Sequence, residues 1–203
     1  MHSWLQKLVV DLRVRLVFLL ERLLPIVSTK HDVLGVSTYL ALVNSNELAR
    51  AQEQLNLSIA LIARYEPRAY TRLKTDLRGI LVYSFTADAR AQFNRSTRLC
   101  ELSPSLVLTH DIVTIACAII HEGTHARLRR VRAHDPARRV EVERACLSQE
   151  IVFLEKLPGM GQRADEIRAV IDGLKPEDYT DAARWADMVG AWASAKKTLK
   201  ARS

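Results

Sequence analysis

Residues Ile119-Ile120-His121-Glu122-Gly123-Thr124-His125 set two histidines four positions apart at the end of a run, Ile112 to Ile120, that is apolar almost throughout. On a helix this spacing puts both imidazoles on one face, a turn apart, where both reach a single tetrahedral zinc. Glu122 points about 100° away, placed to take a proton from a metal-bound water rather than to bind the metal. Two histidines and a carboxylate on a core helix need polar partners. A metal ion supplies them, so the pattern reads as a zinc site rather than as two solvated histidines. The helix is expected to start at Thr109 or Asp111, either of which can cap it, and to run to about Arg130.

The third ligand lies outside the motif. A metzincin would carry Gly three residues and His six residues after His125; Leu128 and Val131 stand there, which excludes that class. A glutamate from the next helix, expected over about Ala137 to Leu157, is the other main solution. Glu143 and Glu150 fall within about 20° of each other on that helix, in the same arc as Cys146, Leu147, Phe153, Leu154 and Leu157. Glu141 falls on the polar side with Ser148, Glu155 and Lys156. Carboxylates in an apolar arc need compensation, which a metal and its surroundings provide. Glu143, 18 residues after His125, is read as the ligand, with Glu150 as the alternative. Cys117, on the His121 face, is read as a core cysteine, with a place beside the metal as the alternative.

HEGTH followed by a helix bearing Glu143 in Val-Glu-Arg-Ala-Cys resembles the gluzincin branch of zinc metallopeptidases, over about residues 79–157. The resemblance implies a small single-domain member with a zincin-like core: an active-site helix, a small antiparallel sheet and a second, glutamate-bearing helix. It implies Zn2+ held by His121, His125 and Glu143, with Glu122 as general base in peptide-bond hydrolysis. It also implies that an edge strand, Arg98 to Leu102, pairs with an extended peptide substrate. The chain departs from the family in having Arg127 at a usually apolar position and no NExxSD or ExxAD signature around Glu143. For the oxyanion it offers His134, Tyr83 and Tyr179 as candidates.

Around this core the expected fold is α+β and predominantly helical, a single domain over residues 1–203. Helices are expected from about Ser37 to Val43 and from Glu47 to about Leu77, disturbed at Pro67. Gly79 to Phe85 and Thr97 to Leu102 read as the two strands of the antiparallel sheet. Pro158-Gly159 stops the glutamate helix, and C-terminal helices occupy 160–203, at about Arg163 to Leu174 and Asp178 to Lys200. In the last of these, Trp185, Met188, Val189 and Trp192 form a packing stripe. Residues 1–30 contain an amphipathic N-terminal helix, Trp4 to Val27. Lys7, Asp11, Arg13, Arg15, Glu21 and Arg22 argue against a membrane span or a cleavable signal. Its broad apolar face either packs between protein elements or lies at a membrane interface.

The net charge of +7 comes with 22 arginines against 8 lysines, spread along the whole chain. No aromatic and basic interleaving appears, so no specific nucleic-acid site is expected. Cys100, Cys117 and Cys146 form no CxxC pair and fit reduced core residues of a cytoplasmic protein. The expected partner is a peptide or protein substrate, with peripheral membrane contact through residues 4–27 as a further reading. The rival to an enzyme is a non-catalytic, zinc-stabilised scaffold that presents the Trp185/Trp192 face or the N-terminal helix.

Overall fold

The computed structural model describes residues 28–41, 44–84, 90–128 and 136–179, with residues 23, 25 and 26. Most of the expected N-terminal helix, the Trp185/Trp192 stripe, His134, and Arg129, Arg130 and Arg132 lie outside the described residues. The described part is α+β and mostly helical, with one five-stranded mixed sheet. In chain order come β1 (Thr29–Val33), β2 (Val36–Leu40), α1 (Ser45–Tyr65), α2 (Pro67–Asp76), β3 (Gly79–Val82), β4 (Ala91–Asn94), β5 (Leu99–Leu102), α3 (Pro104–Thr109), α4 (Ile112–Leu128), α5 (Pro136–Leu154) and α6 (Gly161–Gly173), then a 3-10 turn at Pro176–Tyr179. None of the described helices is long and apolar enough to cross a membrane.

The helix expected at Ser37 to Val43 is instead strand β2. Leu34 and Gly35 both take positive φ, 53° and 80°, which makes a two-residue hairpin turn of the twist that joins β1 to β2. Asp32 Oδ1 accepts the Gly35 N–H at 2.8 Å. The five residues Val36-Ser37-Thr38-Tyr39-Leu40 carry too little periodicity to separate strand from helix; here the turn decides. The polar Thr29, Lys30 and Asp32 suit β1 as an exposed edge strand.

The expected antiparallel pairing of the 79–85 and 97–102 segments is also corrected. β3 and β5 are parallel neighbours, with Ile80 opposite Cys100 and Val82 opposite Leu102. The cause is β4, a short and polar strand that forms an antiparallel hairpin with β5 and occupies the sheet edge in the order β1-β2-β3-β5-β4. Asn94 Oδ1 accepts the backbone N–H groups of Ser96 and Thr97 and so closes that hairpin. The chain reverses once into β4 and again into β5, and β5 lies parallel to β3. Leu99 to Leu102 is therefore interior, and the edge on this side of the sheet belongs to Ala91–Asn94.

The expected long helix divides at Glu66-Pro67 into α1 and α2, with Pro67 opening the second helix, where its missing N–H costs nothing. α4 then runs through the centre. It packs on α1, α2 and α5 and against β4, and Ile115, Ala116, Cys117, Ile119, Ile120 and Ala126 are all buried. Gly123 allows the close approach of α2: a Cβ there would lie 2.6 Å from Leu73 Cδ2. Of the two candidate caps, Asp111 serves α4, accepting the Thr114 N–H at 2.8 Å and its hydroxyl at 2.7 Å, while Thr109 ends α3.

Two stability measurements test this framework. A Cβ on residue 79 would stand 2.5 Å from the Ser37 carbonyl oxygen, so Gly79→Ala should cost roughly 1–3 kcal/mol in chemical denaturation. Asp111→Ala should cost about 1 kcal/mol. Burial pushes the Asp111 carboxyl up, but hydrogen bonds from Thr114 and the charge of Arg163 outweigh it and hold the group at about 2, below its ordinary 3.8. The difference between wild type and Asp111→Ala should thus be full above about pH 4 and vanish as the pH falls through about 2.

Candidate metal centre

The apolar run of α4 carries its polar groups toward α5 and the edge of the sheet. His121 and His125 lie one turn apart with ring centroids 4.9 Å from each other. On α5 the two glutamates in the apolar arc take different places. Glu143 sets one carboxylate oxygen 3.3 Å from His121 Nε2 and the other 3.4 Å from His125 Nε2. Glu150 meets the opposite side of the first ring, 2.7 Å from His121 Nδ1. Glu141 is exposed, as expected of the polar side, and so is Arg127, the departure within the motif.

These distances can be compared with what an ion requires. Nitrogen and oxygen ligands about 2.0–2.1 Å from a tetrahedral zinc lie roughly 3.3–3.4 Å from each other. The two contacts from Glu143 to the Nε2 atoms have that length. The charge balance agrees, since Glu122, Glu143 and Glu150 bring three carboxylates to a partly buried site with only two imidazoles. Without a cation the balance falls on protons. Burial lowers the His121 pKa, but hydrogen bonds to Glu143 and Glu150 overcome it and raise the ring to about 10. Burial likewise pushes Glu143 up, yet His121 and His125 hold it down at about 2.

Cys146 is the residue that sequence reasoning passed over as a donor. Its Sγ and ring nitrogens of His121 and His125 all lie within 4.8 Å of one another, a group able to hold a metal ion. The signal was present: Cys146 follows Glu143 by three residues in the same arc. Glu143 stands at ligand spacing from both Nε2 atoms, while burial, and then the neighbouring carboxylates, push the Cys146 thiol up, a shift that a bound cation would reverse. Cys117 is buried and borders His121 and Glu150 in a neighbouring cavity. All three cysteines are free and buried.

Glu122 faces the sheet edge, only 6% exposed. Burial raises its pKa; the two histidines and a hydrogen bond from the Phe93 backbone N–H work against that rise. Strand β4 therefore touches the site through its backbone. Its opposite face is tied down by Glu101, fully buried on β5, which accepts Gln92 Nε2 at 2.7 Å and Asn94 Nδ2 at 2.8 Å. A cavity of about 340 Å³ lies over the site between Ala91, Phe93, Arg95, His121, His125 and Glu143. Of the oxyanion candidates, Tyr83 is buried and donates to Glu101 at 3.0 Å, away from this cavity. Tyr179 belongs to the 3-10 turn, and its side chain lies outside the described residues, as does His134.

Metal addition should release protons, because an ion must displace the proton that His121 holds at neutral pH. Calorimetry in buffers of different ionisation enthalpy should find at least part of a proton released per chain at pH 7. His121→Ala, His125→Ala and Glu143→Ala should each abolish stoichiometric zinc. Glu150→Ala should retain it with affinity lower by roughly 10–100-fold. Equal losses for Glu143→Ala and Glu150→Ala would contradict the division of roles read from the distances.

Comparison with protein-family models, with curated proteins and with solved structures gives no match, so the resemblance to gluzincins rests on the motif residues alone.

Proposed function

We infer that the chain is a zinc-dependent hydrolase, a metallopeptidase of the gluzincin type. His121, His125 and Glu143 hold the metal, and Glu122 serves as general base. The observation that carries this reading is the pair of Nε2 atoms facing one carboxylate at ligand spacing, with a second, buried carboxylate on the adjacent residue.

Zinc in such a site supplies Lewis acidity, polarising a carbonyl and making water acidic near neutral pH. The protein's own groups do the rest. Burial makes the Glu122 carboxylate more basic than an exposed glutamate, which suits it to accept a proton from water and return it to the leaving amine. Glu150 accepts from His121 Nδ1 and so fixes which ring nitrogen is free for the metal. The Phe93 N–H restrains Glu122, and the β4 edge borders the cavity where an extended peptide would align. This assigns to Ala91–Asn94 the peptide-pairing role expected of Arg98 to Leu102.

One observation favours a second reading. Cys146 within reach of the histidines would complete four protein donors, and closed sites of that kind are structural. The chain would then be a zinc-stabilised scaffold. Glu122→Gln separates the two: it should keep about one zinc per chain and lose turnover by 100-fold or more in a peptide-library assay. Equal cleavage by wild type and Glu122→Gln would remove the catalytic assignment.

A further inference from the structure

Away from the two cavities around His121 lies another, of about 450 Å³, which shares no lining residue with them. Its walls are the first turns of α2, with Pro67, Arg68 and Arg72, and the end of α5 with the turn beyond it, where Gln149, Val152 and Lys156 stand. Gln149 is about 100–120° around α5 from Glu143 and Glu150. The cavity therefore opens on a different side of that helix from the metal centre.

The charged groups lining it are three basic and one acidic. Glu66, at the corner between α1 and α2, is the acid; its side chain is 8% exposed and it accepts from Lys156 Nζ. These two answer each other. Arg68 and Arg72 remain, one turn apart on the same face of α2. Among the described residues neither is paired with a carboxylate. Arg72 Nη1 donates instead to the neutral Gln149 Oε1 at 3.0 Å, which ties the guanidinium to α5 without cancelling its charge. Like charges at this spacing on a helix repel, and an anion set between them turns that repulsion into attraction.

The surroundings narrow the kind of anion. Guanidinium groups match the oxygens of carboxylate or phosphate with paired N–H donors. The surplus of two positive charges suits a phosphate monoester, which carries about −1.5 to −2 at pH 7, better than a single carboxylate. The space also exceeds what a phosphoryl group fills, falling within the range of about 300–1,000 Å³ common for ligand pockets. Pro67 and Val152, the latter 38% exposed, offer apolar surface for an organic group.

We propose that this cavity binds a small organic phosphate, with the phosphoryl group between Arg68 and Arg72 and the carbon part against Pro67 and Val152. The site is independent of the hydrolase reading, since it uses neither the metal nor Glu122.

Calorimetry of phenyl phosphate with the full-length, zinc-loaded protein should find one site per chain. Arg68→Gln and Arg72→Gln, at positions that are not buried, should each weaken binding by roughly tenfold or more, as expected for lost charge-assisted contacts. Val152→Asp should weaken it in the same direction, and inorganic phosphate should bind wild type several-fold less tightly than phenyl phosphate. Glu143→Ala, in which the metal centre is broken, should bind phenyl phosphate as wild type does. Loss of binding in Glu143→Ala would put the phosphate on the metal and overturn the site. Wild-type affinity in both arginine variants, or no binding to wild type at millimolar concentration, would overturn it as well and leave the metal centre standing.

Discussion

The structure depends on how charge is accommodated between α4 and α5. Three carboxylates and two imidazoles meet where the helices otherwise bury Ile119, Ile120, Phe153 and Leu154. Leaving one such group unpaired costs several kcal/mol, so the groups are arranged to answer one another. Glu143 spans both Nε2 atoms, Glu150 takes Nδ1 of the first ring, and Glu122 receives a backbone N–H from the sheet. The two helices cannot slide or rotate against each other without breaking this set. A group able to hold a cation and a packing register that joins two helices are here the same set of contacts.

The sheet serves that site from the side. β4 is a poor strand on its own, four residues of mixed polarity at an edge, and two anchors hold it. Glu101 takes Gln92 and Asn94 from one face, and Glu122 takes the Phe93 N–H. A carboxylate buried on each side of one short strand is an expensive arrangement for stability alone. It holds the strand at a fixed height over His121, His125 and Glu143. The mixed topology combines this hairpin and the β1–β2 hairpin with two parallel pairings, β2 with β3 across α1 and α2, and β3 with β5.

Two cavities meet at His121. The one over the site is lined by β4 with His125 and Glu143, and the one beside it by aliphatic residues of α3 to α6 together with Arg90, Thr114, Glu150, Arg163 and Glu166. The missing side chain of Gly123 lets α2 approach α4 closely.

Much of the site was legible in the sequence because helices encode their faces locally. The four-residue spacing of His121 and His125, and the shared arc of Glu143 and Glu150, follow from a period of 3.6 residues and needed no fold. The longer helices of the described core could be placed for the same reason, and Pro67 marked the division between α1 and α2, but the short α3 has no counterpart in the sequence reading, which places a helix over β2. Tertiary structure alone decided the rest. That Glu143 faces the Nε2 atoms while Glu150 faces Nδ1 depends on the offset between two helices, a quantity no periodicity contains. That Cys146 comes within reach of the histidines depends on it too. The parallel pairing of β3 with β5, and the edge position of β4, are long-range hydrogen-bonding choices, and residues as short and polar as Ala91–Asn94 carry little local sign of them. HEGTH by itself fixed where a metal could be held; packing between distant elements determined which groups face it and what space a substrate would find there.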